Sequence, residues 1–360
     1  MAAMMKVGIV DADLVSRPRH RFPNLASEKL SAYWKAQGAE TTLLLDWEHL
    51  NDYDQVFVSK VFTDTPVPEW LAETDRIHLG GTGLFFDRAA PLPYEIEHHM
   101  PDYHLYDEWL KTLDKPAREF TDYSIGFLTR GCFRKCGFCV NQKYSRVIPH
   151  SPLREFFDPT RKKICLLDDN FLGCPLWKEM LQDLIDTGRP FKFKQGLDER
   201  LLTDEKCEML FSARYDGEYT FAFDKIEDYN LIQKQLEMIR RHTNTSLIKF
   251  YVLVGYESTG VEDLVNAFRR IELLMRYNCL PYVMRYQSKN DAPWKSSPVK
   301  DMYTHLARWA NQPGIIRNLS FREWVAVDQK CRHSSKPCAS LRTMTEFERN
   351  YPEMLHNTST

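Results

Sequence analysis

Three cysteines, Cys132, Cys136 and Cys139, stand at a C-x3-C-x2-C spacing in Gly131-Cys132-Phe133-Arg134-Lys135-Cys136-Gly137-Phe138-Cys139. A short loop of this kind can turn three thiolates onto one iron–sulfur cluster and leave one iron without a protein ligand. The other chemistry open to such thiols is a structural zinc site. That takes four Cys or His ligands, usually in paired motifs, and no neighbouring histidine or fourth cysteine completes the set. Arg134 and Lys135 make the loop polar, which favours thiolates over inert buried thiols. Nine cysteines, an odd number clustered unevenly, argue against a secreted disulfide framework and for a metal site in a reducing compartment.

The loop must be held by the elements around it. It follows an apolar run, Ser124 to Thr129, that reads as a strand, and five more strand candidates follow: Lys163 to Leu167, Phe191 to Lys194, Tyr219 to Phe223, Ile248 to Val254 and Pro281 to Tyr286. Helical spacing recurs between them in Leu176, Met180 and Leu184, in Ile232, Leu236 and Ile239, and in Leu264, Phe268, Ile271 and Met275. Six βα units fall short of the eight-stranded barrel but suffice for an open partial barrel whose reactive face lies at the carboxyl ends of the strands.

Ahead of them, Lys6 to Val10, Thr42 to Leu45, Gln55 to Val58 and Arg76 to Leu79 read as strands alternating with helical stretches, the pattern of a parallel sheet. The first helix spans Leu25 to Gln37, with Asn24 as its N-cap and Gly38 as its stop. Between residues 87 and 120 the prolines 91, 93, 101 and 116 break regular structure and read as a linker. The expected organisation is an α/β chain of three parts. An N-terminal flavodoxin- or Rossmann-like parallel sheet with its linker occupies residues 1–115, a partial (β/α)6 barrel residues 116–300, and a small C-terminal extension, a cap or tail, residues 301–360.

Composition is ordinary for a globular protein: 43% hydrophobic, 27% charged, and a formal net charge of -2 that gives no reason to expect a general polyanion binder. Met1 to Val10 lacks the features of a signal peptide and no apolar run reaches membrane-spanning length, so a cytoplasmic protein with no membrane partner is expected.

The C-x3-C-x2-C loop, with an aromatic residue just before its last cysteine and placed after the first strand of a partial barrel, resembles the signature of the radical S-adenosylmethionine (SAM) superfamily over about half the chain, Tyr123 to about Gln287. The resemblance implies that Cys132, Cys136 and Cys139 ligate a [4Fe–4S] cluster. It implies too that the open iron chelates SAM, that one electron breaks a carbon–sulfur bond to give methionine and a 5′-deoxyadenosyl radical, and that Phe138 packs near the adenine. It further implies a reductase such as flavodoxin or ferredoxin as electron donor. Asp168-Asp169-Asn170, after the second strand, stands where the family offers a Gly-Gly-Glu-like motif to the SAM amino group and resembles the variant of the subgroup that carries a cobalamin-binding domain. The residue-level alternative is that these acidic residues cap the next helix. Gln195 after the third strand, Asp224 after the fourth and Gly255 after the fifth are likewise implied to face SAM or substrate, whereas Glu257 stands one position away from the family's carboxylate.

The strands before residue 85, with Gly80-Gly81-Thr82-Gly83 after the last of them, resemble that cobalamin-binding domain, since small residues at a strand end admit a flat cofactor or a phosphate. The family's Asp-x-His-x2-Gly motif is missing, for Val10 is followed by Asp11-Ala12-Asp13-Leu14. Cobalamin therefore stays open beside a docking domain that binds no cofactor. The implied reaction is radical modification of a substrate, by C-methylation, methylthiolation or rearrangement, and the substrate is a small molecule or a macromolecule. The alternatives are a tRNA- or peptide-modifying enzyme without cobalamin, and a non-catalytic iron–sulfur or zinc protein. Cys331, His333 and Cys338 form a further candidate metal set, read as an ordinary polar tail.

Overall fold

The computed structural model describes residues 4–17, 20, 22–141, 143–288, 291–328 and 339–352. Cys331, His333 and Cys338 lie outside the described residues. The chain divides into two compact units, Met1–Gln195 and Gly196–Thr360.

In the first unit, β1 (Lys6–Asp11), β2 (Glu40–Leu43), β3 (Gln55–Ser59) and β4 (Ile77–Gly80) form one parallel sheet in the order β2-β1-β3-β4. Alternate residues of β1 serve opposite faces, as a period of two requires. Val7 and Ile9 pack with Leu30, Tyr106 and Phe120, while Val10 packs with Leu50, Val56 and Val58. Both faces are therefore covered, the usual state of a parallel sheet. The helix Leu25–Ala36 starts where the Asn24 side chain accepts a hydrogen bond from Ser27 N, 3.2 Å away. It stops at Gly38, whose φ of +82° suits a residue without a Cβ.

The expected linker is tied down at both ends. Tyr106 donates its hydroxyl hydrogen to Asp11 at 2.9 Å. Tyr103 donates to the carbonyl of Phe156 (2.6 Å) and accepts from Ile125 N (2.7 Å). Buried Arg161 donates to the carbonyls of Phe120 and Tyr103, each at 2.6 Å. These bonds join the first sheet to a second parallel sheet, β5 (Tyr123–Gly126), β8 (Lys163–Leu166) and β9 (Phe191–Phe193), ordered β5-β8-β9. Leu25, at the head of the N-terminal helix, shares a core with Tyr123, Ile125 and Cys165 of that sheet. The compact boundary accordingly falls at 195/196, inside the run of βα units and not at the proline-rich segment.

The second unit carries the other three strands, β10 (Tyr219–Ala222), β11 (Ile248–Val254) and β12 (Leu280–Arg285), also parallel and in the order β10-β11-β12. The expected (β/α)6 set is thus found as two three-stranded sheets, one in each unit. The helices Tyr229–His242 and Val261–Arg276 bury the apolar rows read from the sequence, with Ile232, Leu236, Ile239 and Leu264 fully covered. Arg270 donates to the carbonyls of Phe223, Asp224 and Leu253 at 2.8, 2.8 and 3.0 Å, which pins the ends of β10 and β11. Beyond residue 300, the helix Lys300–Ala310 buries Met302, Tyr303, Leu306 and Trp309, and is core to this unit. After it, the Asn311 side chain accepts from Val283 N (2.6 Å) and donates to Val283 O (3.0 Å), a strand-like partner for β12.

The cysteine loop leaves the first unit's second sheet between β6 (Thr129–Arg130) and β7 (Ile148–Pro149), an antiparallel pair of two residues each. So short a pair does not hold itself together in water. Glu97 braces it. Its Oε1 lies 3.1 Å from Arg130 Nη2, 2.9 Å from His150 Nε2 and 3.3 Å from Lys29 Nζ on the N-terminal helix. Arg130 also lies over the Phe127 ring, 3.3 Å from its centroid. Burial alone raises the Glu97 pKa, but the His150 hydrogen bond and the Lys29 and Arg130 charges outweigh it and bring the carboxyl down to about 2 from 4.5. A depressed carboxylate contributes stability that is present above its unfolded pKa and is lost as pH falls through the folded one. Glu97→Gln should therefore be less stable than wild type by roughly 3 kcal/mol above pH 4.5, with the gap closing towards pH 2. Urea unfolding across that range measures it, and a gap independent of pH would show that the Glu97 charge holds nothing.

Candidate metal centre

The strand β5 ends at Gly126, and the chain passes through Leu128 and Thr129 into the cysteine loop. Gly131 opens the loop with φ at +93°, and a Cβ there would meet Arg146 O at 2.6 Å and the Tyr144 ring at 2.8 Å. Only glycine suits both the turn and the close approach of the returning strand. Cys139 N donates to Cys136 O at 2.9 Å, a tight turn that brings the last two cysteines together. All three cysteines are half-buried.

Hydrogen-bond donors converge on the sulfurs. Cys132 Sγ accepts from Arg134 N and from Asn170 Nδ2, each at 3.3 Å, and Cys139 Sγ accepts from Asn141 N at 3.4 Å. Burial pushes the Cys139 thiol up; Cys132 and Asp169 push the same way, and the Asn141 amide opposes them. Among the described residues, no three His, Cys, Asp or Glu side chains gather as the ligands of one metal ion would. A four-iron cluster places no such demand, because each thiolate binds a different iron. Three thiols on one glycine-opened loop, with amide donors aimed at two of the sulfurs, are a donor set that fits it.

Asp168, Asp169 and Asn170 follow β8 directly. Asp168, fully buried, accepts from Leu128 N (3.2 Å), Thr129 N (2.7 Å) and Thr129 Oγ1 (2.6 Å). Burial raises its pKa to about 7 against the pull of those donors. Asp169 accepts from Gly131 N at 2.9 Å and from the Asn141 side chain. The helix-capping alternative does not describe these residues. The short helical turn Phe171–Gly173 that follows has no side-chain cap from Asn170. Sequence reasoning had no signal for Asn141, Glu97 or His150, whose roles depend on long-range approach.

The remaining candidates are described each within its own unit. Phe138 is half-buried on the cysteine loop, and Gln195 is exposed at the end of the first unit. In the second unit, Asp224 follows β10 and accepts from Leu253 N at 3.3 Å; burial raises its pKa and the Arg270 charge opposes this. Gly255 follows β11 with φ at +71°, its amide donating to Asp263 at 2.7 Å, and a Cβ would meet Trp294 Cβ at 2.7 Å.

The strand ends of the first sheet bear on cobalamin. Asp11 caps the turn after β1 by accepting from Asp13 N (3.1 Å) and Leu14 N (3.2 Å), besides the bond from Tyr106. Asp13 holds the segment after β3 by accepting from Val61 N at 2.7 Å and from the Thr65 hydroxyl. Gly81 and Gly83 lie against Lys60, where a Cβ on Gly81 would sit 2.2 Å from Lys60 O. The small residues after β4 thus serve packing within the chain, and Asp11, Asp13, Ser59 and Lys60 are all buried. Beside them Val61, Phe62 and Thr82 are exposed at the same strand ends.

No protein-family model matches the chain, and no curated protein does. Solved structures do. The radical S-adenosylmethionine methyltransferase TsrM from Kitasatospora setae, with cobalamin and a [4Fe–4S] cluster bound, superimposes with a TM-score of 0.52 at 13% identity, covering 78% of this chain and 75% of that one. The same enzyme with tryptophan substrate and a SAM analogue gives 0.52 at 13%, covering 77% and 72%. A weaker likeness, 0.45 at 14%, covers 97% of this chain and 62% of the cobalamin-dependent SAM radical enzyme OxsB. No helix among the described residues is long and apolar enough to cross a membrane. The resemblance carried by the cysteine loop is met at the level of the backbone: this chain shares its fold with a cobalamin-binding radical S-adenosylmethionine enzyme.

Proposed function

We propose that the protein is a radical SAM enzyme in which Cys132, Cys136 and Cys139 hold a [4Fe–4S] cluster. The observation that carries the reading is the cysteine loop itself, opened by Gly131, furnished with N–H donors to Cys132 and Cys139, and set at the exit of β5 in a chain with this fold. When bound, the cluster supplies the electron that cleaves SAM to methionine and a 5′-deoxyadenosyl radical. The chain's own residues shape the loop, partly cover it from water and direct donors to the sulfurs. Phe138, Gln195, Asp224 and Gly255 keep the cofactor-facing roles that the resemblance implies as part of this proposal.

Anaerobic reconstitution, reduction with dithionite and electron paramagnetic resonance with and without SAM test it. A [4Fe–4S]⁺ signal that shifts on adding SAM, together with 5′-deoxyadenosine in the same tube, is the expected result. A protein that takes up zinc instead, or a cluster indifferent to SAM, would favour the non-catalytic binding protein. Cys136→Ala should lose the cluster, and a variant with full iron content would remove Cys136 from the ligand set.

Cobalamin stays open: the packing of Gly81 and Gly83 against Lys60 favours a docking domain, and no step is derived through that cofactor. Incubation with hydroxocobalamin followed by desalting should leave no stoichiometric cobalamin absorbance on the protein. Retention of an equimolar amount would mean that the segments at Lys60 and Gly81 open to admit it.

A further inference from the structure

The residues after β8 were expected to meet the amino group of SAM, yet each makes a side-chain hydrogen bond to the cysteine loop or its approach. Asp168 takes up both backbone amides of Leu128 and Thr129 and the Thr129 hydroxyl. Asp169 takes the amide of Gly131 with one oxygen, at 2.9 Å, and the Asn141 side chain, beyond the last cysteine, with the other. Asn170 donates its Nδ2 to Cys132 Sγ at 3.3 Å. Three consecutive side chains thus grip the loop before its first cysteine, at that cysteine and after its last.

We propose that Asp168-Asp169-Asn170 is a clamp on the cysteine loop: the carboxylates fix the backbone before Cys132 and hold the Asn141 side chain behind Cys139, and Asn170 is a donor to the sulfur of Cys132. The inference rests on the reading of Cys132 as a cluster ligand only for its last clause; the clamp itself is a property of the chain without metal. All three act as positioning residues. A carboxylate that accepts several N–H donors at a turn fixes its geometry more firmly than a single neutral hydrogen bond does. A donor to a ligating sulfur withdraws charge from it, which makes the cluster easier to reduce.

Two measurements keep the parts distinguishable. Amide hydrogen exchange on the metal-free protein reads the clamp alone. Asp169→Ala should speed exchange of the peptide spanning residues 127–133 by about tenfold or more, as expected for losing a charge-assisted bond that closes a local structure. Asp169→Asn, which keeps one acceptor, should fall between it and wild type, and the β11 peptide of residues 248–254 should not change. Unaltered exchange at 127–133 in Asp169→Ala overturns the clamp. The second measurement is a redox titration of reconstituted protein without SAM, followed by the cluster signal. Asn170→Leu, of similar size and without the donor, should hold its iron and shift the midpoint to a more negative potential, and Asn170→Gln should restore part of the shift. An unchanged midpoint at full iron content overturns the donor role, as does loss of iron from Asn170→Leu that Asn170→Gln does not relieve. If the wild-type protein takes up no cluster, the proposed function falls while the exchange result still decides the clamp.

Discussion

A fully buried carboxylate is costly unless donors satisfy it, and Asp168 has three: two backbone amides and a hydroxyl from the segment leaving β5. That constraint runs in both directions. The carboxylate tolerates its burial only while Leu128 and Thr129 present those donors, and the segment can present them only in one backbone path. Three residues after Thr129 comes Cys132, so the first thiol of the loop inherits a position set by the end of a neighbouring strand. Parallel pairing of β5 with β8 in a fixed register, Ile125 against Cys165 and Gly126 against Leu166, is what brings the two strand ends level.

The far side of the loop has a different support. The two-residue strands β6 and β7 that bracket it gain their stability from Glu97, which faces cations or donors on both: Arg130 on the outgoing side and His150 on the return. Glu97 also meets Lys29 on the helix that covers the first sheet. Support for the candidate metal centre therefore passes through the N-terminal part of the chain. This explains why residues 1–195 form one compact unit, although composition suggests a break at the prolines. The N-terminal domain has a physical task here whether or not it binds a cofactor, since without its helix the loop's brace has no third anchor.

The strands and helices were legible because their signals are local. Apolar runs placed nine of the ten principal strands to within two residues, the strand before the cysteine loop ending three residues earlier than read, and Asn24 and Gly38 marked the ends of the first helix. The cysteine loop was legible because ligand spacing is also local. The clamp was not, because residue type says that Asp168 and Asp169 are acidic at a strand end and says nothing of where the oxygens point. Helix capping and SAM recognition were both consistent with the letters, and the amides they meet lie about forty positions earlier. The segment between residues 87 and 120 misled for the opposite reason. Its prolines are real breaks in regular structure, but Tyr103, Tyr106 and Phe120 among them are buried anchors, and buried aromatics with hydrogen-bonded hydroxyls outweigh backbone punctuation in deciding what packs together.

The surroundings of the loop also act on the charge state of its last thiol. Burial disfavours a thiolate at Cys139, and Cys132 and Asp169 disfavour it further. A reactive cysteine needs the reverse, an electropositive surrounding that lowers its pKa. Asp169 cannot be dispensed with to relieve this, because it holds the Gly131 amide and the Asn141 side chain. The same carboxylate thus orders the loop and opposes ionisation of its last thiol. Such an arrangement is unfavourable for nucleophilic chemistry at Cys139. Under the proposed reading, the metal would supply the positive charge that this surrounding lacks, because ligating thiols are bound deprotonated.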